Sequence, residues 1–431
     1  MESIWDRTAK LPLFDPLTGD TRTDVLIIGG GIAGLLCAHF LQGAGVSCAV
    51  IDAGRICQGI THNTTAKITV QHGLIYHKLI SKYGTEAAHL YFDAQNRALA
   101  MYKSLAAGIP CDFETKDAFV YSLNSRIEIE QEANALRRIG SPAIFAEDIN
   151  LPFPIQGAVR VPAQAQFHPL KFLRHIAKDL DIFENTRALE IRPGVVITDK
   201  GKIQTKKIIV ATHFPFLNKH GAYFIKLYQH RSYVLALKNT PDVNGMYVDA
   251  SLKGLSFRTS GDFLLLGGGS HRTGKKGGNW RELTEFSRKF YPGAEEVARW
   301  ATQDCISLDG IPYIGQYARN MPNLYVTTGF NKWGMTNAMV SAMILRDMIL
   351  GRDNDYAKVF APNRRIVHPQ LAINLFESLL GLITPTTPRC PHLGCALHYN
   401  KFEHSWDCPC HGSRFTETGK VIDNPANGNK K

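Results

Sequence analysis

The apolar residues of this chain gather in short unbroken runs punctuated by glycine. Val25 to Ile28 is one such run and Cys48 to Ile51 a second, and Leu324 to Thr328 reads as a further strand. A strand covered on both faces reads this way, because neither face needs polar side chains. The stretch after Ile28 turns helical and runs to about Gly43, so the first two runs predict a strand–helix–strand unit. Met335 to Leu350 predicts a second helix, ended by Gly351, with Gly329 to Gly334 as the loop before it. Between these ends, Arg231 to Leu237 and Phe263 to Gly267 are strand-like, and Glu128 to Arg138 is helix-like, as is Leu371 to Leu380.

A length of 431 residues exceeds one ordinary core and predicts two or three domains. Hydrophobic content of 44% and charged content of 20% fit a globular chain and argue against disorder or fibre. No apolar run reaches the roughly 18–20 residues that span a bilayer. Met1 to Pro16 lacks the basic-then-apolar order of a secretory signal. A cytoplasmic protein without an integral membrane segment is the expectation. The net charge of +11 invites a nucleic-acid reading, but the basic residues come in pairs, such as Lys206–Lys207 and Lys275–Lys276, without interleaved aromatics. That pattern describes a scattered basic surface, with a general preference for anionic partners and no nucleic acid.

Gly29, Gly31 and Gly34 form G-x-G-x-x-G between the first strand and its helix, and Asp52 closes the second strand 18 residues after Gly34. Gly29 permits the turn, Gly31 admits a pyrophosphate to the backbone, and Gly34 lets helix and strand touch. The helix N-terminus, with Ile32 and Ala33, offers N–H groups to phosphate, and Asp52 suits a ribose hydroxyl. The motif alone serves FAD and NAD equally. Downstream, Gly310 lies in Leu308-Asp-Gly-Ile-Pro-Tyr-Ile-Gly315, followed by Gly329-Phe-Asn-Lys-Trp-Gly334-Met-Thr336.

Together these segments resemble the D-amino-acid-oxidase-like class of FAD-dependent oxidoreductases, in the glycine oxidase branch. The resemblance implies an α/β Rossmann-like FAD domain (1–75, 146–215 and 301–360) interleaved with a mostly antiparallel α+β substrate domain (76–145 and 216–300). It implies flavin contacts at Gly310, Gly329, Gly334, Met335 and Thr336, with the last helix aimed at the pyrimidine side of the ring. Lys207 to His213 resembles the strand that returns under FAD and brings in Ala211 and Thr212; His213 stands where the family has glycine. Gly59 to Lys67 matches the loop over the flavin, with Thr64, Thr65 and Ala66 as contacts and His62 as a candidate for covalent attachment. Gly269 to Lys276 approximates a Walker A loop, but Lys276 replaces the residue that would hold Mg²⁺, so a strand-end turn is expected.

Of nine cysteines, Cys390, Cys395, Cys408 and Cys410 fall within 21 residues and alternate with histidines. Such a cluster points to metal before a disulfide framework. The order is C-x-H, fifteen intervening residues, then C-x-x-H, flanked by Leu-Gly-Cys and Pro-Cys-His-Gly-Ser. Two cysteines and two histidines also suit zinc, but the short C-x-H spacing favours a cluster. The pattern resembles the Rieske motif, which carries a [2Fe–2S] cluster. The resemblance assigns Cys390 and Cys408 to one iron and His392 and His411 to the other. It makes Cys395 and Cys410 disulfide candidates and Ser413 a donor to a cluster sulfur. Imidazole in place of thiolate raises the potential to roughly −150 to +300 mV. A minimal Rieske fold at 386–431, after a connector at 361–385, is too small to stand alone and must lean on the flavin domain or on a partner.

The chain as a whole resembles bacterial FAD oxidoreductases with a C-terminal Rieske module. That implies oxidation of a C–N bond in an amine or amino-acid-like substrate, with electrons passing singly from FAD to the cluster and on to an external one-electron acceptor. The histidine ligands, at the protein surface in Rieske centres, would be the exit. Asp304 stands near where relatives place an arginine for a substrate carboxylate, which argues for an amine, including a cationic one. Lys332, Trp333, Tyr228, Arg258 and Asp304 are the candidate catalytic residues, with His230, Arg231 and Tyr233 also in the pocket; Lys332 would stabilise anionic flavin. Two rivals are an oxidase whose cluster is only structural and an electron-transfer flavoprotein without its own organic substrate.

Overall fold

The computed structural model describes residues 2–217, 220–277, 279–364, 366, 368–385 and 388–430. Its first sheet runs Tyr313–Gln316, Leu324–Thr328, Lys202–Val210, Thr21–Ile28, Cys48–Ile51, Ile182–Phe183. All neighbours pair in parallel except the first two, and a small antiparallel extension, Ala188–Arg192 with Val195–Thr198, hangs from Lys202–Val210. The unbroken apolar runs occupy its central strands, where Leu26, Ile27, Val50 and Val326 are wholly buried. Helices Ile32–Gly43 and Gly334–Ile349 pack together on one face, and the second is buried along nearly its whole length.

The second sheet runs Glu295–Ser307, Leu227–Lys238, Phe263–Arg272, Ser256–Ser260, Met246–Asp249, Glu114–Ser122, Gly157–Gln166, Lys67–Ile68. Among the described residues only Met246–Asp249 and Glu114–Ser122 pair in parallel, so it is the mostly antiparallel sheet expected of the substrate domain. Its limits differ from the expected ones. Gly157–Gln166 and Glu295–Ser307, assigned by sequence wholly or partly to the flavin domain, belong to this sheet instead. The cause is pairing between segments distant in the chain, Gly157–Gln166 with Glu114–Ser122 and Glu295–Ser307 with Leu227–Lys238, which no local pattern announces. The long helix Ile75–Ala106 bends at Gly84, whose φ is +85°, and its first turn is capped from a neighbouring helix by Glu132, which accepts from the Tyr76 and His77 amides.

The tail forms a third sheet of four short strands, His398–Asn400, Ser405–Asp407, Arg414–Thr416 and Val421–Asp423. Among the described residues its buried core is Cys390, Cys395, Leu397, Cys408, Cys410, Phe415 and Ala426. So few apolar side chains stabilise little by themselves. The module leans on the body of the protein, as its size required. The connector is the helix Pro369–Ile383, a little longer than the periodicity predicted.

Candidate functional site: a flavin cavity and a cluster seat on opposite faces of one sheet

A cavity of about 1070 Å³ opens between the first two sheets. Gly29, Gly31, Ile32, Ala33 and Asp52 line it at the end of the first strand–helix–strand unit. The three glycines do three different things. Gly29 has φ +112°, and a Cβ there would lie 2.5 Å from the Ala211 carbonyl oxygen. At Gly34 a Cβ would lie 1.9 Å from the Gly29 oxygen, so this glycine serves helix–strand packing and stands back from the cavity. A Cβ on Gly31 would meet nothing closer than Thr61 Oγ1 at 3.4 Å, which leaves the helix N-terminus open to a phosphate. Asp52 accepts from the Gly30 and Gly54 amides at 2.8 Å each, and burial raises its pKa. This cradle, with Thr64, Thr65, Lys67, Ala211 and Thr212 along its rim, fits a dinucleotide such as FAD.

At the far end stand Gly310, Gly329, Lys332, Trp333, Gly334 and Met335, so the N-terminus of Gly334–Ile349 meets the cavity as expected. Trp333 stacks on His72 at 5.0 Å, and His72 bonds to Tyr91 and to the Thr69 carbonyl. Lys332 Nζ donates to Ser270 Oγ at 2.7 Å. Burial lowers the Lys332 pKa and raises that of Asp304, and each charge partly offsets the shift of the other. Lys67 is pushed down to about 7 by burial, with Arg258 adding to the effect.

In the tail, Cys390 and Cys408 are buried, and the His392 and His411 rings lie 4.9 Å apart and nearly perpendicular. Neither ring nitrogen of His411 has a hydrogen-bond partner although the residue is only 1% exposed. Burial lowers its pKa to about 3, and that of His392 to about 4. Both rings are therefore neutral at physiological pH, the form that ligates a metal, and an interior imidazole with two orphan nitrogens calls for a ligand. The residues fit a histidine-ligated cluster. Ser413 Oγ accepts from the Ala426 amide at 3.0 Å and lies beside the Cys390 sulfur, within reach of its own hydroxyl proton. Cys395 and Cys410 crowd Cys408, the three sulfurs lying within 4.8 Å of one another.

The cavity and the cluster seat use opposite faces of the same strands. Successive residues of a strand point to opposite sides. On Leu227–Lys238, Tyr228 and Ser232 line the cavity, whereas Gln229 donates to the His411 carbonyl at 2.7 Å and the Asn424 carbonyl at 2.9 Å. Arg231, on the same side as Gln229, is ion-paired with Glu403, and Tyr233 donates to the same carboxylate. On the neighbouring strand Asp304 lines the cavity, while Gln303 donates to the Gly412 carbonyl at 2.8 Å. Arg272 donates to the Pro409 and Cys410 carbonyls. The tail then folds over the sheet's edge: Asn424 donates to the carbonyls of Thr212 and Phe214, Asn427 to that of Ala188, and residues 420–424 line the flavin cavity itself. Phe214 closes the gap, with its ring centroid 6.3 Å from those of both His392 and His411.

Several expectations change. Arg258 does not line the cavity; it donates to the Thr65 and Ala66 carbonyls at 2.8 Å and pins the flavin loop, with its pKa lowered to about 9 by burial. Arg231 holds the tail and His230 packs on Tyr228 behind the cavity wall, whereas Tyr233 lines the cavity as expected and also donates to Glu403 of the tail. Thr336 bonds to His72 and the Thr69 carbonyl, and Ala66 is sealed in the loop, so both support the cavity without lining it. His62 turns away toward the Cys57 carbonyl and Asp6, so it is not placed for attachment to a flavin. The two cluster histidines differ in exposure: His411 is buried against Phe214 and Phe224 on the side of the flavin domain, not at the surface as expected, whereas His392 is half-buried. Gly274, in the Walker-like segment, seats the cluster loop; a Cβ there would lie 2.6 Å from the Pro409 nitrogen. Sequence reasoning missed Gln229, Gln303, Arg272, Glu403 and Asn424. Gln229 and Gln303, polar residues inside strands, carried the one available signal.

Comparison with known proteins agrees with this geometry. The FAD dependent oxidoreductase (DAO) family matches residues 24–348, and the Rieske [2Fe–2S] domain matches residues 363–431. YhfW of Bacillus subtilis (strain 168), named as a Rieske 2Fe–2S iron–sulfur protein, is 33% identical over 99% of this chain and 96% of its own length. The cytochrome b6-f complex iron–sulfur subunit of Nostoc punctiforme is 54% identical over 37 residues, 9% of this chain and 21% of that protein. Among solved structures, glycine oxidase of Geobacillus kaustophilus superposes with a TM-score of 0.67 at 18% identity, covering 80% of this chain and 100% of the other. L-proline dehydrogenase of P. horikoshii gives 0.68 at 17% identity, covering 81% and 98%.

Proposed function

The chain belongs to the FAD dependent oxidoreductase family and ends in a Rieske [2Fe–2S] domain, and on that premise we propose that it oxidises a C–N bond and sends the electrons out singly through the cluster. Bound FAD supplies hydride acceptance, and a histidine-ligated cluster supplies one-electron conduction. The substrate loses a C–H hydride and an N–H proton and becomes an imine; its two electrons leave one at a time to an external one-electron acceptor.

The chain's own residues prepare each part. Gly31 and the first helix N-terminus hold phosphate, and Arg258 fixes the loop that covers the ring. Asp304 and Lys332 share the substrate end of the cavity, where Lys332 favours negative charge on the ring and Asp304 attracts a cationic nitrogen. No arginine takes the place of Asp304, which supports an amine substrate over a simple amino acid. Cys395 and Cys410 are proposed to form a disulfide across the cluster loops, supported by their packing together beneath Gly381.

The observation that carries the reading is the shared partition: one pair of strands faces the cavity with Tyr228 and Asp304 and the cluster seat with Gln229 and Gln303. A cluster that only stapled the fold would have no need to turn its buried histidine toward the flavin. Anaerobic mixing with a panel of amines and amino acids tests it. Flavin bleaching followed by the reduced-cluster EPR signal is expected, with amines the better reductants. Bleaching with no cluster signal, and full turnover by His411→Ala, would establish an oxidase with a structural cluster instead.

A further inference from the structure

The connector helix Pro369–Ile383 is mounted inside out. Its polar and small residues form the inward seam: Asn374 and Gly381, seven residues apart, are its two buried positions. Asn374 accepts from Arg272 at 2.9 Å and donates to the Ile225 carbonyl at 3.1 Å. Glu377 is ion-paired with Lys275, and a Cβ on Gly381 would lie 2.6 Å from Cys410 Sγ. The helix therefore cannot roll to bury a different face. Its apolar side chains point outward in consequence: Phe376 is 60% exposed, Leu379 61% and Ile383 73%, with Ile373 and Leu380 beside them. Leu393, in the cluster loop after His392, is exposed too, and Gly394 packs that loop against Leu382 at the helix end.

A contiguous exposed face of this kind marks a contact surface. We propose that it beds the protein on an anionic lipid bilayer. Charge selects this occupant. The chain carries +11, so a second copy pressed on the same face would bring like charge against like. Lys275 beside the helix, Lys276 next to it in the chain and Arg389, which binds the carbonyls of the last turn, outnumber the one acid on the helix, Glu377, whose charge the Lys275 pair cancels. An apolar face with a basic rim supplies the two signals that hold a peripheral helix in the headgroup layer. At 15 residues the helix lies along the surface; it is too short to cross. Bedded this way, the cluster loop faces the membrane while the flavin cavity stays behind it.

The test uses the intact holoprotein and vesicles of pure phosphatidylcholine or of phosphatidylcholine with about one-third phosphatidylglycerol. Co-sedimentation with the anionic vesicles at low salt is expected, together with at least about tenfold weaker binding to neutral ones and loss of binding as salt rises. Amide exchange should slow on vesicle addition at 369–383 and in the 391–394 loop. The double substitution Phe376→Glu, Leu379→Glu should abolish sedimentation while leaving the flavin and cluster spectra unchanged. The vesicle comparison needs only the unaltered protein, so it decides even where the variant does not fold. No binding to anionic vesicles overturns the proposal, as does exchange protection confined to another surface. A dimer in light scattering that the double variant dissolves would assign the face to a second copy and equally overturn it.

Discussion

An alanine at position 412 would place its Cβ 2.6 Å from Gln229 Cβ, on a backbone whose φ is +85°. Both penalties fall where the cluster loop meets the sheet. The left-handed conformation costs a non-glycine residue about 1–2 kcal/mol, and the clash adds to it by pushing on Gln229, which holds the His411 carbonyl. Gly412→Ala should therefore lower the midpoint of thermal unfolding and speed cluster loss, followed by absorbance, while the flavin spectrum stays. An unchanged midpoint would show that the junction is looser than described. At this scale the sequence was legible where spacing itself carries the physics: Gly29 and Gly34 are glycine because turn and packing admit nothing larger, and the two Cys-x-His-type loops announce their own chemistry. It was opaque for Arg231 and Arg258. Their partners, Glu403 and the Thr65 and Ala66 carbonyls, lie far away in the chain, and no local pattern distinguishes an arginine that anchors from one that binds substrate.

At the scale of elements, the strand Leu227–Lys238 reads as an ordinary buried strand, and its double duty appears only with the tail in place. Its alternation sends Tyr228 and Ser232 to one side and Gln229 and Arg231 to the other, while Tyr233 both lines the cavity and donates to Glu403 of the tail. The expected domain limits missed this because they assumed that each segment serves one domain. Glu403 is the tail's main ionic attachment: it pairs with Arg231 of the body and Arg414 of the tail, and its side chain is 3% exposed. Those two guanidinium groups overcome the penalty of burial and hold its pKa at about 2, below the ordinary 4.5. Its stabilising contribution is thus complete above about pH 4.5 and is lost as pH falls toward 2. Breaking such a pair from one side leaves buried charge uncompensated and costs about 3–5 kcal/mol. Glu403→Gln should release the tail at neutral pH, seen as faster proteolysis within 386–431 and faster cluster loss. In the unaltered protein the same loosening should appear only on acidification through that window. Release at pH 6 in the unaltered protein would count against this attachment.

For the whole molecule, the two cofactor sites share walls, so their occupancies must be coupled. Residues 420–424 of the tail line the cavity that holds FAD, and Asn424 bonds to the backbone at Thr212 and Phe214 beside it. The tail's own core is too small to order these residues unless the cluster ties Cys390 and His392 to Cys408 and His411. Removing the cluster should weaken FAD binding, and removing FAD should weaken retention of the cluster. Linkage makes the two factors equal, in the range of about 5- to 150-fold for typical coupling energies. The coupling can be measured by titrating FAD into deflavinated protein with and without its cluster, and by chelator competition for iron with and without FAD. Equal factors above one would show that the cluster helps to build the flavin site as well as to drain it. A factor of one in both directions would mean that the tail stays ordered without iron, and that Asn424 and Gln229 alone suffice to hold it on the sheet.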